Sequence, residues 1–159
     1  MTRIKIHNRK SMTVAYLEHR GPFDQIPFGA DYKRLYAWAR EHKLRPGMRP
    51  MAIYPDNPAT TPAERLRARV AIAVHGAAVP DAEVHVEALP SMQVAATRHK
   101  GPVQDYPQTY ARLLKWTDEH GYEWAGAPME TYGGMPKGEG QAMSIRSRIE
   151  VPVRRRSGA

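Results

Sequence analysis

The chain contains itself twice. The stretch Ser11 to Pro22 returns eighty residues later as Ser91 to Pro102, with seven of twelve positions identical. Tyr32 to His42 returns as Tyr110 to His120, keeping Tyr, Arg, Leu, Trp, Glu and His in register, six of eleven. Pro50-Met51-Ala52-Ile53-Tyr54 returns as Pro128-Met129-Glu130-Thr131-Tyr132, and the offset drifts only from 80 to 78, so the copies differ by short loop deletions. Repeats of about 20–50 residues build solenoids. Two copies of this greater length predict one fold duplicated about a pseudo-two-fold axis, and the seam between such halves is a natural place for a ligand cleft.

Each copy reads strand, strand, helix, strand, strand. Ile4-x-Ile6 and Val84-x-Val86 alternate and open the copies with short strands. Val14 to Arg20 and Val94 to Lys100 predict second strands, each ended by the turn signal Gly-Pro. Tyr32, Leu35, Tyr36 and Ala39 keep helical spacing, as do Tyr110, Leu113, Leu114 and Thr117, which predicts helices near 28–43 and 106–120. Met51 to Tyr54 and Met129 to Tyr132 follow as third strands, then Leu66 to Val74 and Ser144 to Val153 as fourth. The expected fold class is α+β: two ββαββ halves with antiparallel sheets and one main helix each. The whole chain, 1–159, is expected to be one domain, with repeats 3–74 and 83–153, a linker 75–82 and a short basic tail 154–159. Gly133 to Gly140 is expected to be a flexible hairpin connection, lacking the Gly-Lys-Ser/Thr ending of a phosphate loop.

At 159 residues the chain can bury a real core. Its charge, 24 basic against 16 acidic residues, is +8. The basic residues are dispersed apart from Arg154-Arg155-Arg156, and no nucleic-acid-binding motif is present. The expectation is weak, salt-dependent contact with nucleic acid and no specific binding. No apolar run reaches the length of a membrane span and no signal peptide is visible, so the expected compartment is the cytoplasm, without a membrane partner. The absence of cysteine excludes disulfides and thiolate chemistry. The seven histidines show no metal-ligand spacing, and recurrence of His19/His99 and His42/His120 in both halves favours structural roles. No metal and no cofactor are expected.

Tyr54-Pro55-Asp56-Asn57-Pro58, followed by Thr61-Pro62 and Leu66-Arg67, together with Gly126 to Tyr132 and Ile149-Glu150-Val151-Pro152-Val153, resembles the GyrI-like family over nearly the whole chain. The resemblance is greatest to its stand-alone SbmC type, and the same module is the effector-binding domain of AraC-type and MerR-type regulators. It implies a duplicated SHS2-like fold whose cleft binds amphipathic, often aromatic and cationic, small molecules. It also implies two alternatives: inhibition of DNA gyrase by protein contact, and hydrolysis of strained DNA-alkylating toxins. The two halves use up the chain, which argues against a complete transcription regulator. The family often carries Asp where this chain has Arg69.

Some of these residues have ordinary explanations. Thr61, Pro62 and Glu64 have the pattern of a capping box that starts a helical turn. Glu130 is harder to dismiss: glutamate is depleted in strands, and its repeat partner is Ala52. It shares a strand face with Tyr132, as Ala52 does with Tyr54. A carboxylate flanked by phenol rings would neutralise a hydrophobic cation and stack on it. The ligand-binding candidates are therefore Glu130, Tyr132, Tyr54, Tyr16, Tyr110, Trp38, Trp116 and Trp124. The competing readings are a solvent-facing Glu130 and, for Trp38 and Trp116, a core role. Trp124 is a candidate cover of the cleft mouth. Glu130 would be the catalytic base only if the chain is a hydrolase.

Overall fold

The computed structural model describes residues 3–81, 83–134 and 143–157. The strands are β1 Lys5–Arg9, β2 Met12–Arg20, β3 Arg45–Pro46, β4 Met51–Ile53, β5 Arg67–His75, β6 His85–Leu89, β7 Met92–Pro102, β8 Tyr122–Trp124, β9 Met129–Tyr132 and β10 Ser144–Arg155. The helices are α1 Phe28–Glu41 and α2 Tyr106–Glu119. The class is α+β, and every printed strand pairing is antiparallel. The connection expected at 133–140 lies largely outside the described residues.

The compact units cut across the repeats. One comprises Lys10–Ser91, the other Met1–Arg9 with Met92–Ala159. In the first, β6, β2, β5 and β4 pair side by side, and β3 borders β5. In the second, β1, β7, β10 and β9 do the same, and β8 borders β10. The opening strand of each repeat thus pairs with the second strand of the other repeat. The physical reason lies in the joints Lys10-Ser11 and Pro90-Ser91. A two-residue hairpin needs positive φ at its centre, and neither joint has it. The strands therefore run on instead of folding back. The segment expected as a linker between copies instead joins β5 to β6 within one unit.

Each unit lays its helix on one sheet face. In Lys10–Ser91 the core is Ala15, Leu17, Leu35, Trp38, Ala39, Leu44, Val70, Ile72, Val74 and Val84. In the other unit it is Ala95, Leu113, Tyr122, Ile149, Val151 and Val153. Repeat-matched Leu35 and Leu113, and Val14 and Val94, are all fully buried, as the duplication requires. Gly21, just after β2, and Gly101, at the matched place in the last residues of β7, adopt φ 137° and 139°, a region few side chains tolerate. After α2 the chain leaves through Gly121 at φ 81°, the usual left-handed helix exit. After α1 the matched residue is Lys43, which adopts φ 56° without being glycine.

Two local expectations differ. Ala63–Arg65 is a single 3-10 turn with no side-chain cap, so the capping box does not form. The loop is held instead by Asp56, whose carboxylate accepts from the Arg67 backbone N–H at 2.9 Å and from its guanidinium at 3.0 Å. The expected tail is also partly strand. Arg154 and Arg155 belong to β10 and pair with Glu123 and Tyr122 of β8, while the Arg156 guanidinium bonds Asp118. Three adjacent arginines look like a free arm in sequence, but their acidic and aromatic partners lie more than thirty residues upstream.

Candidate functional site

The site is built on β9 and α2. The register pairs Glu130 with Ile149, and Ile149 with Thr97; one step along, Tyr132 pairs Ser147, and Ser147 pairs His99. Cross-strand partners share a face, and Ile149 belongs to the core under α2. Glu130, Tyr132, Ser147, Thr97 and His99 therefore all face the helix. From the helix, Tyr106 and Tyr110, one turn apart, reach down to them.

Glu130 is 5% exposed, so it is not a solvent-facing glutamate. Tyr110 donates its hydroxyl to Oε2 at 2.5 Å, and Tyr132 donates to Oε1 at 2.8 Å. Both carboxyl oxygens are thus met by phenols, and no cationic side chain among the described residues offsets the charge. Burial pushes the Glu130 pKa above the ordinary carboxylic range, and the two phenol hydrogen bonds pull against it. Tyr106 bonds Ser147 Oγ at 2.7 Å. Its phenol is raised, first by burial and then by the Glu130 charge. His99 stacks on Tyr106 at 4.2 Å; its ring nitrogens meet the Thr109 hydroxyl at 2.8 Å and the Pro102 carbonyl at 3.0 Å.

The other unit shows what this place looks like without such chemistry. Where the second copy has Tyr106, Glu130, Ser147 and Thr97, the first has Phe28, Ala52, Ala68 and Leu17. Tyr32, the match of Tyr110, donates to the Met51 carbonyl at 2.7 Å. One copy therefore keeps an apolar helix–sheet interface, while the other carries a buried carboxyl and its donors at the same positions.

Of the sequence candidates, the structure brings together Glu130, Tyr110 and Tyr132. Trp124 lies in β8 and donates its indole N–H to Thr117 Oγ1 at 3.0 Å. Trp116 stacks on His120 at 3.9 Å. Tyr16, Tyr54 and Trp38 belong to the other unit. There Trp38 is 3% exposed and belongs to the core cluster, the competing reading given for it. Tyr16 stacks on His85 at 5.1 Å beneath the Arg69 guanidinium, and Tyr54 packs on Phe23 at 4.9 Å. Arg69 bonds Glu18 at 3.0 Å, an ion-paired base on the outer side of β5. Sequence reasoning passed over Tyr106, Ser147 and Thr97, whose signal was the polar-for-apolar exchange between copies, and over His99, which its match His19 made look structural. It also missed that histidines find carboxylates in space, His19 with Asp31 and His7 with Glu150. Among the described residues no group of ligating side chains fits a metal, and no helix is long and apolar enough to cross a membrane.

Comparison with known proteins agrees with this architecture. A DNA gyrase inhibitor from Pectobacterium carotovorum subsp. carotovorum (strain PC1) is 32% identical over 127 residues, 77% of this chain and 80% of that protein. The crystal structure of the EcmrR C-terminal domain matches 98% of this chain and 99% of its own, at 16% identity and TM-score 0.73. The chain spans only 58% of the EcmrR chain solved in complex with DNA. The structure of SAV2435 bound to tetraphenylphosphonium matches 96% of this chain and 94% of its own, at 12% identity and TM-score 0.57. The model of the GyrI-like small molecule binding domain matches residues 2–154, and the chain belongs to that family.

Proposed function

We propose that this protein captures an amphipathic aromatic cation, with Glu130 as its counter-ion. The observation that carries the reading is the buried Glu130 carboxyl, held by two phenols and offset by no cationic side chain among the described residues. A carboxylate taken out of water without a counter-ion is costly. An incoming organic cation supplies the missing charge, and the phenol rings of Tyr110 and Tyr132, tied to the carboxyl through their hydroxyls, are of a kind that attracts cations. That SAV2435 was solved with tetraphenylphosphonium supports this ligand class. Calorimetric titration with tetraphenylphosphonium, and with tetraphenylborate as its isosteric anion, tests the reading. Binding of the cation and rejection of the anion is expected. Equal binding of both, or of neither, would overturn it.

The name of the Pectobacterium relative favours a second reading, contact with DNA gyrase. A supercoiling assay with and without the protein tests that reading, and loss of gyrase activity on addition would support it. Consumption of a strained alkylating ligand, abolished by Glu130→Gln, would instead make the site hydrolytic.

A further inference from the structure

In the unit Met1–Arg9 with Met92–Ala159, Ala95, Ile149 and Val151 lie in the core under α2. Strand alternation turns Lys5 and Arg9 of β1, Arg98 and Lys100 of β7, and Arg146 and Arg148 of β10 to the opposite face. On that face β1, β7, β10 and β9 carry one carboxylate, Glu150. It is 6% exposed and is spent on Arg9 at 3.7 Å and Arg148 at 3.3 Å. Lys5, Arg98, Lys100 and Arg146 are exposed, and none of them has a carboxylate partner among the described residues. The register adds to this surplus, because Arg98 sits directly across from Arg148 and Lys100 from Arg146. Like charges directly opposite on neighbouring strands destabilise a sheet. The first copy compensates its matched arginines from within. Arg98 and Arg148 are matched there by Glu18 and Arg69, an ion pair at 3.0 Å, and His7 is matched by Glu87, which meets Arg69 at 3.5 Å. Arg146 is matched by Arg67, held by Asp56 at 3.0 Å, and Gly134 stands where the second copy would need that acid.

We infer that this basic sheet face docks on the phosphate backbone of duplex nucleic acid, without reading its sequence. The charge is concentrated, which corrects the expectation of dispersal: this unit holds 13 basic and 7 acidic residues of the chain's 24 and 16. A duplex carries one negative charge per about 1.7 Å of its axis. That density meets cationic pairs on neighbouring strands, which lie about 5 Å apart. A protein partner would instead need an apolar or aromatic anchor at the centre of the contact. Among the described residues the exposed large apolar side chains are Met48, Val79 and Leu114, and none is on this face. Single strands bind by stacking bases on aromatic rings. The four strands offer only the His7 imidazole on this face, and Arg148 and Glu150 already hold it. Phosphates would relieve the repulsion of Arg98 with Arg148 and of Lys100 with Arg146, while their own condensed counter-ions are released.

The test is fluorescence anisotropy of the full chain with a labelled mixed-sequence DNA duplex of about 20 base pairs, between about 50 and 200 mM salt. Contacts from Lys5, Arg98, Lys100 and Arg146 should give a slope of log K against log salt of roughly −3 to −4, or about a 100-fold loss of affinity across that range. Duplex RNA of the same length should bind comparably, since its phosphates offer the same charge. Arg98→Gln with Lys100→Gln should flatten the slope by about two and weaken binding on the order of tenfold or more at the lower salt. The same variant should unfold at a higher temperature in low salt, and the gain should shrink as salt screens the repulsion. Lys33→Gln with Arg40→Gln, exposed on α1 of the other unit, removes equal charge and should leave the slope unchanged. No binding at the lower salt, or equal loss in the α1 variant, would overturn the inference. Displacement of the duplex by poly-glutamate at equal charge concentration, or preference for the single strand, would overturn the choice of partner. A lower unfolding temperature for the Arg98 and Lys100 variant would overturn the claim of uncompensated repulsion.

Discussion

Replacing Glu130 by glutamine keeps the side-chain shape and removes the ionisable group. The carboxyl is buried and already stripped of water, so above the pH at which it ionises the cost of desolvating it lies in the free protein and the ligand gains the attraction nearly undiminished, whereas below that pH the release of its proton lessens the gain. With an effective dielectric near 20 and a separation of about 6 Å between carboxylate and phosphonium centre, that attraction is about 3 kcal/mol. Glu130→Gln should therefore weaken tetraphenylphosphonium by on the order of 100-fold in a calorimetric titration, and leave triphenylphosphine oxide within about threefold, the neutral ligand having no charge to read. Stability should move the other way. A carboxyl whose pKa is raised on folding contributes stability below its ordinary range, and that contribution is lost as pH climbs through the raised value. Glutamine cannot ionise, so the unliganded variant should gain on the wild type as pH rises, read from thermal unfolding at stepped pH. Equal losses for the cation and the neutral oxide would refute the reasoning, because they would make Glu130 a wall of the site instead of its counter-ion.

The donors and the frame give further expectations. Tyr110→Phe removes one of the two hydrogen bonds that favour the charged carboxyl, worth about 1.5–3 kcal/mol, so it should weaken tetraphenylphosphonium roughly tenfold or more at neutral pH and shift the binding profile to higher pH. Lys43→Gly relieves a left-handed residue at the exit of α1 and should stabilise the fold by about 0.5–1 kcal/mol in chemical denaturation, whereas Gly121→Ala at the matched exit should destabilise it. Leu113→Ala opens the core under the candidate site and should cost about 2–5 kcal/mol, measured the same way.

The duplication made the elements legible, because each strand and helix had a second reading eighty residues away. Leu35 and Leu113 confirm how directly periodicity reports burial. Strand exchange was not legible, since alternation in β1 and β6 fixes their faces and not their partners. Only the absence of a hairpin turn at Lys10-Ser11 and Pro90-Ser91 hinted at it. β3 and β8, of two and three residues, are too short to carry a period. At the site, Glu130 stood out because a charge within a strand is unusual and its copy is alanine. Tyr106 hid among ordinary helix aromatics, its meaning carried by one hydroxyl that Phe28 lacks. His19 and Asp31 were invisible as a pair, because twelve residues and a turn separate them in sequence and only the packing of α1 on β2 unites them.

On this reading a buried, proton-favouring Glu130 exchanges its proton for an organic cation. It is tested most directly by counting protons released when tetraphenylphosphonium binds, using calorimetry in buffers of different ionisation enthalpy across a pH series. The phosphonium charge is permanent, so any proton exchanged belongs to the protein. Net proton release should peak below the raised Glu130 pKa, fade above it, and vanish in Glu130→Gln. Tight binding with no proton release at any pH, or the same release in Glu130→Gln, would contradict it.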